Sequence, residues 1–123
     1  MMPKIKGIMS SDIDDLKNYT PGNPDNFEVS ITMNIGIEGE EGADNFQVTF
    51  CTPKWLQENC KESEIFIPRH NLIVQKYDYP AFINRLNEIC KMCEGKNWDE
   101  CSDKLSRYFL SEFEDYKEYQ NLN

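Results

Sequence analysis

Between Lys17 and Lys54 the sequence contains no lysine and no arginine. The same stretch carries six carboxylates, and the whole chain has 22 Asp and Glu residues against 13 Lys and Arg, a net charge of −9. Nucleic acids are bound through clustered basic side chains that neutralise phosphates, so this balance argues against a DNA- or RNA-binding protein. Anionic membrane surfaces are disfavoured as partners for the same reason.

Long hydrophobic runs are also missing from the sequence. No segment approaches the roughly 18 apolar residues of a membrane span, and the start, MMPKIKG, lacks the apolar centre of a signal peptide. Hydrophobic residues nevertheless make up 39% of the chain, which is enough for a packed interior. A length of 123 residues suits one core, so we expect a single cytoplasmic domain over residues 1–123.

Histidine occurs once, which limits the chemistry that the chain can perform. His70 has no Ser, Cys or Asp beside it in a recognisable catalytic signature, so a structural or interface role is favoured over that of a general base. The glycines at 36, 39 and 42 lie among carboxylates that would repel a phosphate. Residues 38–44 also lack the ligand spacing of an EF-hand calcium loop. We therefore expect no catalytic residue and no cofactor.

The five cysteines are an odd number and are irregularly spaced, which predicts reduced, mostly buried thiols. The pair Cys90-x-x-Cys93 is the candidate redox or metal motif. It falls in the last turns of a predicted helix, where the negative end of the helix opposes thiolate formation. A zinc site would need two further ligands. Core packing is therefore the favoured role, and we expect no metal.

Alternation of apolar and polar residues predicts the main strands. Every odd position from 27 to 37 is apolar, which is typical of a long strand with one buried face. Residues 46–50 alternate again after a glycine-rich turn, and the two runs predict an antiparallel hairpin. Residues 4–9 predict a short first strand. Residues 65–67 and 72–74 predict two more, of which we expect the second to be the more central.

Helical spacing appears mainly in the C-terminal half. A short helix is predicted after Thr52 and Pro53, a longer one over residues 79–94, and another that begins at the cap Asn97 with Glu100 as its reciprocating partner. Residues 109–116 fit either a helix end or a last strand. Strands first and helices later predict an α+β fold, with an antiparallel sheet containing a long hairpin packed against two C-terminal helices.

Two acidic segments are the candidate contact surfaces. One is the hairpin turn at residues 38–44, for which a solvated turn is the alternative interpretation. The other is residues 112–116, where aromatic side chains alternate with carboxylates, and its alternative is the polar side of a last core element. Aromatic residues supply contact area while carboxylates attract a basic partner. The candidate partner-binding residues are Glu38, Glu40, Glu41, Asp44, Glu112, Phe113, Glu114, Asp115 and Tyr116.

Several short motifs, spread over nearly the whole chain, carry a family resemblance. They are Asn18-Tyr19-Thr20-Pro21, Asn26-Phe27, the glycines 36, 39 and 42 before Phe46, Cys51-Thr52-Pro53-Lys54-Trp55-Leu56, Arg69-His70-Asn71-Leu72-Ile73-Val74, Tyr77-Asp78-Tyr79, Trp98, and Leu105-Ser106-Arg107-Tyr108 before residues 112–116. The sequence resembles the immunity protein 8 family of bacterial polymorphic toxin systems in these motifs, in the order of the motifs and in the length of the chain. The cysteines at 60, 90, 93 and 101 lie outside the motifs.

The resemblance implies an α+β cytoplasmic protein that is encoded beside a toxin and protects the producing cell by binding the toxin domain. Such toxins are delivered into neighbouring bacteria by contact-dependent growth inhibition or another secretion route, and many are nucleases. The resemblance implies no catalytic residues and does not fix which residues touch the toxin. We therefore expect the partner to be a basic toxin domain, with the two acidic segments covering the surface that would hold substrate phosphates.

Two other interpretations remain open from the sequence. The first is a small metal-dependent or hydrolytic enzyme that uses clustered carboxylates, and bound stoichiometric divalent metal would favour it. The second is a general oligomerising regulator, which a defined heterodimer with the product of a neighbouring gene would exclude.

Overall fold

The computed structural model describes residues 1–113, which fold into a five-stranded sheet and three helices. The elements are β1 (Pro3–Met9), β2 (Glu28–Ile37), β3 (Asp44–Cys51), α1 (Pro53–Asn59), β4 (Asn71–Ile73), α2 (Tyr79–Met92), α3 (Trp98–Leu105) and β5 (Leu110–Ser111). The predicted α+β class with two C-terminal helices is confirmed.

The long hairpin forms as the alternation predicts. β2 and β3 pair antiparallel, with Val29 opposite Phe50 and Ile35 opposite Asp44. The side chains at the odd positions of β2 are buried, and those of Met33 and Ile35 are completely inaccessible to solvent. A register shift of one residue would exchange the two faces, so the buried face itself specifies the pairing.

β1 pairs antiparallel with the other edge of β2 and contains a bulge. Ile5 lies opposite Ile35 and Ile8 opposite Met33, and the register shifts between Ile5 and Gly7. The extra residue in β1 compensates for the odd spacing of its apolar side chains, so that both isoleucines reach the core side of the sheet.

The sheet is mixed, so the expectation of a purely antiparallel sheet is wrong in one respect. β4 pairs parallel with the C-terminal half of β3, with Leu72 opposite Phe50. The chain leaves β3, passes through α1 and a loop, and returns in the same direction, which is the crossover that a parallel pair requires. β4 ends the strand order β1-β2-β3-β4 and is therefore not a central strand.

Two further expectations for this part of the chain are now decided. Residues 65–67 form no strand and are exposed instead. Of residues 109–116, Phe109 is buried in the core and β5 follows it, with Leu110 opposite Gln47 and Ser111 opposite Phe46. β4 and β5 therefore share the same edge of β3, each pairing with one half of it.

The core lies between one face of the sheet and the helices α2 and α3. The rings of Phe50 and Phe82 stack with centroids 4.1 Å apart, and Leu86, Leu105 and Phe109 are fully buried in the same hydrophobic cluster. The opposite face of the sheet carries polar side chains, among them Ser30, Thr32, Asn34 and Gln47.

Each helix begins after a capping residue, and the caps Thr52 and Asn97 were predicted from the sequence, whereas Asp78 was not. The side chains of Thr52, Asp78 and Asn97 accept hydrogen bonds from the first-turn N–H groups of α1, α2 and α3. The Glu100 carboxylate lies 3.5 Å from the ammonium of Lys104, one turn further along α3. Within residues 1–113, none of the helices has both the length and the apolar character needed to cross a bilayer.

Candidate functional site

The turn at residues 38–44 is held in place by a lysine of β1 that contacts the turn's backbone carbonyls. The Lys6 ammonium on β1 donates to the carbonyls of Glu40 and Gly42. A Cβ on Gly36 would lie 2.2 Å from the carbonyl oxygen of Gly42, so the turn folds back against a position that only glycine fits. The side chains of Glu38, Glu40 and Glu41 are exposed around this ordered turn.

Trp98 is the first residue of α3, and its side chain connects this helix to the turn. Its indole N–H donates to a carboxylate oxygen of Asp44 over 2.8 Å, and its ring packs edge-on against Phe46 with centroids 6.4 Å apart. Asp44 is half-buried by these contacts. Among the predicted partner-binding residues, Asp44 therefore has a structural role, since its carboxylate accepts the indole N–H of Trp98.

The second predicted segment meets the first at the N-terminal end of β3. The Asn45 N–H donates to the carboxylate of Glu112 over 2.7 Å, and the Glu112 N–H donates to the Asn45 carbonyl over 3.1 Å. Phe113 follows with 45% of its surface exposed. The structure thus brings Glu112 and Phe113 beside the turn, while Glu114, Asp115 and Tyr116 lie outside the described residues.

Two grooves flank Trp98. One, of about 270 Å³, is lined by Glu40, Glu41, Asp44 and the indole. The other, of about 410 Å³, is lined by Asp44, Asp99, Asp103, Phe113 and the indole. Both combine carboxylates with an aromatic wall, an arrangement suited to the ammonium or guanidinium group of a basic side chain.

Asp99 and Asp103 are functional candidates that the sequence reasoning missed. They are four residues apart on α3, so they occupy one face, whereas Cys101 and Leu105 occupy the buried one. That spacing was visible in the sequence. The proximity of Asp99 and Asp103 to the turn could not be seen in the sequence, because it depends on the contact between Trp98 and Asp44. We call the whole surface the acidic end: Glu38, Glu40, Glu41, Asp44, Trp98, Asp99, Asp103, Glu112 and Phe113.

Comparison with protein families gave one match. Residues 3–116 match the family described as Immunity protein 8. The chain belongs to the Immunity protein 8 family. Comparison with curated proteins and with solved structures gave no significant match. Family membership makes the chain an immunity protein, a protein that protects against a cognate toxin.

Most of the thiols of this immunity protein are buried, as predicted. All five cysteines are free, and Cys51, Cys90, Cys93 and Cys101 are buried. Burial raises the pKa of the Cys90 thiol to about 12, with a further contribution from the neighbouring Cys93. A thiol with so high a pKa is protonated at neutral pH and is a poor nucleophile. In the part of the immunity protein that the structure describes, no three His, Cys, Asp or Glu side chains are grouped to hold a metal ion.

His70 immediately precedes β4, on the edge of β3 that β4 and β5 share. It adopts a left-handed backbone conformation with φ of 60°, and its carbonyl accepts the N–H of Thr49 over 3.0 Å. Burial lowers the pKa of its imidazole, the nearby Arg69 lowers it further, and a hydrogen bond to the backbone of Tyr108 partly offsets both effects. This placement agrees with a structural role for His70 in the immunity protein.

Proposed function

We propose that the immunity protein neutralises a cognate toxin domain by presenting the acidic end to a basic surface of the toxin. The observation that carries this proposal is the convergence of two separate acidic segments, one on the hairpin turn and one after β5, around Trp98. Residues 45 and 112 are 67 positions apart in the chain, yet they exchange hydrogen bonds.

The aromatic side chains give the acidic end a candidate binding centre. Residues whose truncation weakens a complex most are usually aromatic or arginine and lie at the centre of the contact, whereas charges at the rim contribute less. Trp98 lies between the two grooves, and Phe113 forms a wall of one of them. Trp98 and Phe113 are therefore the candidate anchors, with Glu38, Glu40 and Glu41 as rim charges.

The toxin that fits this surface best is a nuclease. A nuclease holds the phosphates of its substrate on basic side chains, and a rigid group of carboxylates competes for those side chains. The mechanism is occlusion in the cytoplasm of the producing cell, and the delivery route is contact-dependent growth inhibition or a related secretion system. Complementary charges also raise the association rate, to about 10⁸ M⁻¹s⁻¹ or more at low salt.

The proposal is tested with the cognate toxin domain, which we propose to be the C-terminal domain of a large secreted protein encoded beside the immunity gene. We expect the two chains to form a 1:1 complex that blocks cleavage of labelled DNA or RNA, with an association rate that falls steeply as salt rises. Reversing Glu40 and Glu41 to lysine should slow association at least about tenfold.

The matched control for each single reversal, Glu40→Lys or Glu41→Lys, is Asp25→Lys, which also reverses one exposed negative charge but lies outside the acidic end. Equal slowing by the control and by the acidic-end variants would contradict the proposed surface. An association rate that is indifferent to ionic strength would contradict the charge mechanism, although inhibition itself could stand.

A further inference from the structure

The end of β3 opposite to the acidic end is apolar. β4 pairs there with residues 49–51, and Ile73 on β4 is 47% exposed. Just before β4 the chain passes through Ile65, Phe66 and Ile67, and the two isoleucines are 91% and 76% exposed. Three consecutive apolar residues left in solvent are characteristic of a protein contact surface.

A groove of about 480 Å³ lies between β4 and the start of α2. Its lining includes Phe50, Leu72 and Phe82, and basic side chains of Lys76 and Arg85 stand beside them. Arg85 is paired with Glu88 at 2.8 Å, and the Asp78 carboxylate, which also lines the groove, accepts the Ala81 N–H at the start of α2. Lys76 is therefore the basic side chain of the lining that is left to meet a carboxylate of a partner. We call residues 65–67, Ile73 and this groove the apolar end.

The free edge of β4 also belongs to the apolar end. On the inner side, the His70 carbonyl accepts the Thr49 N–H and the Val74 N–H donates to the Cys51 carbonyl. Since bonding residues alternate along a parallel strand, the N–H and carbonyl of Ile73 point away from β3. Within residues 1–113, no strand lies beyond β4. Such an edge is a template for pairing with another chain.

Charge and shape together indicate what covers the apolar end. The exposed segment reads Glu64-Ile65-Phe66-Ile67, a carboxylate followed by three apolar residues. The groove offers the complement, apolar walls with Lys76 at the rim. A second copy of this chain supplies both halves of this match, because its Glu64 would lie near Lys76 while its residues 65–67 enter the apolar groove.

We propose that the chain forms a homodimer through its apolar end. The two β4 edges lie side by side around a two-fold axis, and residues 65–67 of each copy pack into the β4–α2 groove of the other. A two-fold contact of this kind is closed and self-complementary, so it stops at two copies. The acidic ends lie at the opposite ends of the two β3 strands, so both remain open in the dimer.

The oligomeric state of the purified chain tests the proposal directly. Sedimentation velocity over a range of concentrations should show a reversible dimer of twice the chain mass. Ile67→Lys should weaken dimerisation at least about tenfold, because it places a charge in the contact. Met92→Lys is the matched control, since Met92 is also a large exposed apolar residue, 54% accessible, but lies at the far end of α2. Circular dichroism of each variant verifies folding, and Ile65→Lys replaces Ile67→Lys if the latter is unfolded.

A charge exchange tests the stated geometry. Lys76→Glu should weaken the dimer, and adding Glu64→Lys in the same chain should restore it, because the pair is then reversed and not lost. A wild-type chain that stays monomeric at high micromolar concentration would overturn the proposal. So would a dimer that Ile67→Lys and Met92→Lys affect equally. Loss of toxin binding by Ile67→Lys from a monomeric wild type would assign the apolar end to the toxin and overturn the second copy as its occupant.

Discussion

The two ends of β3 differ in almost every physical property. At the N-terminal end, carboxylates of the turn, of α3 and of Glu112 surround Trp98, and hydrogen bonds tie these segments together. At the C-terminal end, Ile73 is half-exposed in a largely apolar groove that also contains Lys76, Asp78 and Arg85, and the apolar residues 65–67, shortly before β4, are exposed. Charged side chains attract a partner over long distances and speed association. Apolar surface stabilises a complex only at close contact, and salt does not screen that contribution. The surface that we propose for toxin binding and the surface that we propose for dimerisation therefore differ in the forces that would hold their partners.

The largest effect on this comparison is expected from Trp98→Ala. Truncating the indole removes its packing on Phe46 and leaves the Asp44 carboxylate without its donor, so we expect a loss of about 3 kcal/mol in the free energy of unfolding. Toxin binding should weaken as well, because the two grooves lose their common wall. Urea denaturation and titration with the toxin domain measure the two effects. Wild-type affinity for the toxin in a folded Trp98→Ala variant would show that Trp98 does not contribute to toxin binding.

The next effect is expected from Gly36→Ala. The new methyl group would meet the Gly42 carbonyl oxygen, so the turn must move, at a cost of about 2 kcal/mol. Because the turn carries Glu40 and Glu41, the association rate with the toxin should also fall. Gly22→Ala is the control, since its surroundings are open and its backbone does not require glycine. Equal stability of the two variants would show that the turn adapts without cost.

Asp44→Asn separates charge from position at the acidic end. The amide oxygen still accepts the Trp98 N–H, so we expect a loss of only about 1 kcal/mol in stability. Asp44→Ala leaves that N–H without its acceptor and should lose more. Comparing the two variants by thermal unfolding and by toxin association shows how much Asp44 contributes as a charge and how much as an anchor. A slower association with Asp44→Asn at unchanged stability would assign it a direct electrostatic role.

The smallest effect is expected from protonation of His70. Its pKa is lowered in the folded chain from the usual 6.5, so the unfolded chain binds more protons between these two values. The stabilising contribution of neutral His70 to the free energy of unfolding should therefore be fully present above pH 6.5. It should decline as the pH falls from there toward the lowered pKa. His70→Asn removes the titrating group while asparagine tolerates the left-handed backbone. The difference between the two chains in urea denaturation should follow this window, and a constant difference would argue against it.

Much of the fold could be predicted because it depends on local patterns. The alternation from position 27 to 37 defines the buried face of β2, and Thr52, Asp78 and Asn97 begin their helices with side-chain hydrogen bonds to residues three positions on. The exposed triad at residues 65–67 was misread as a strand, since its β-branched and aromatic composition is the same for a strand and for a contact segment. The assignment of the acidic residues to toxin binding stays a prediction.

The sequence by itself determined the class of fold, the family, the register of the hairpin and the acidity of the turn, because each follows from residues close together in the chain or from their order. Only the tertiary structure decided that β4 pairs parallel with β3, that Glu112 lies beside Asn45, and that Asp99 and Asp103 join the turn through Trp98. These contacts join residues far apart in the chain, and their formation depends on how the helices pack on the sheet, which no local pattern specifies.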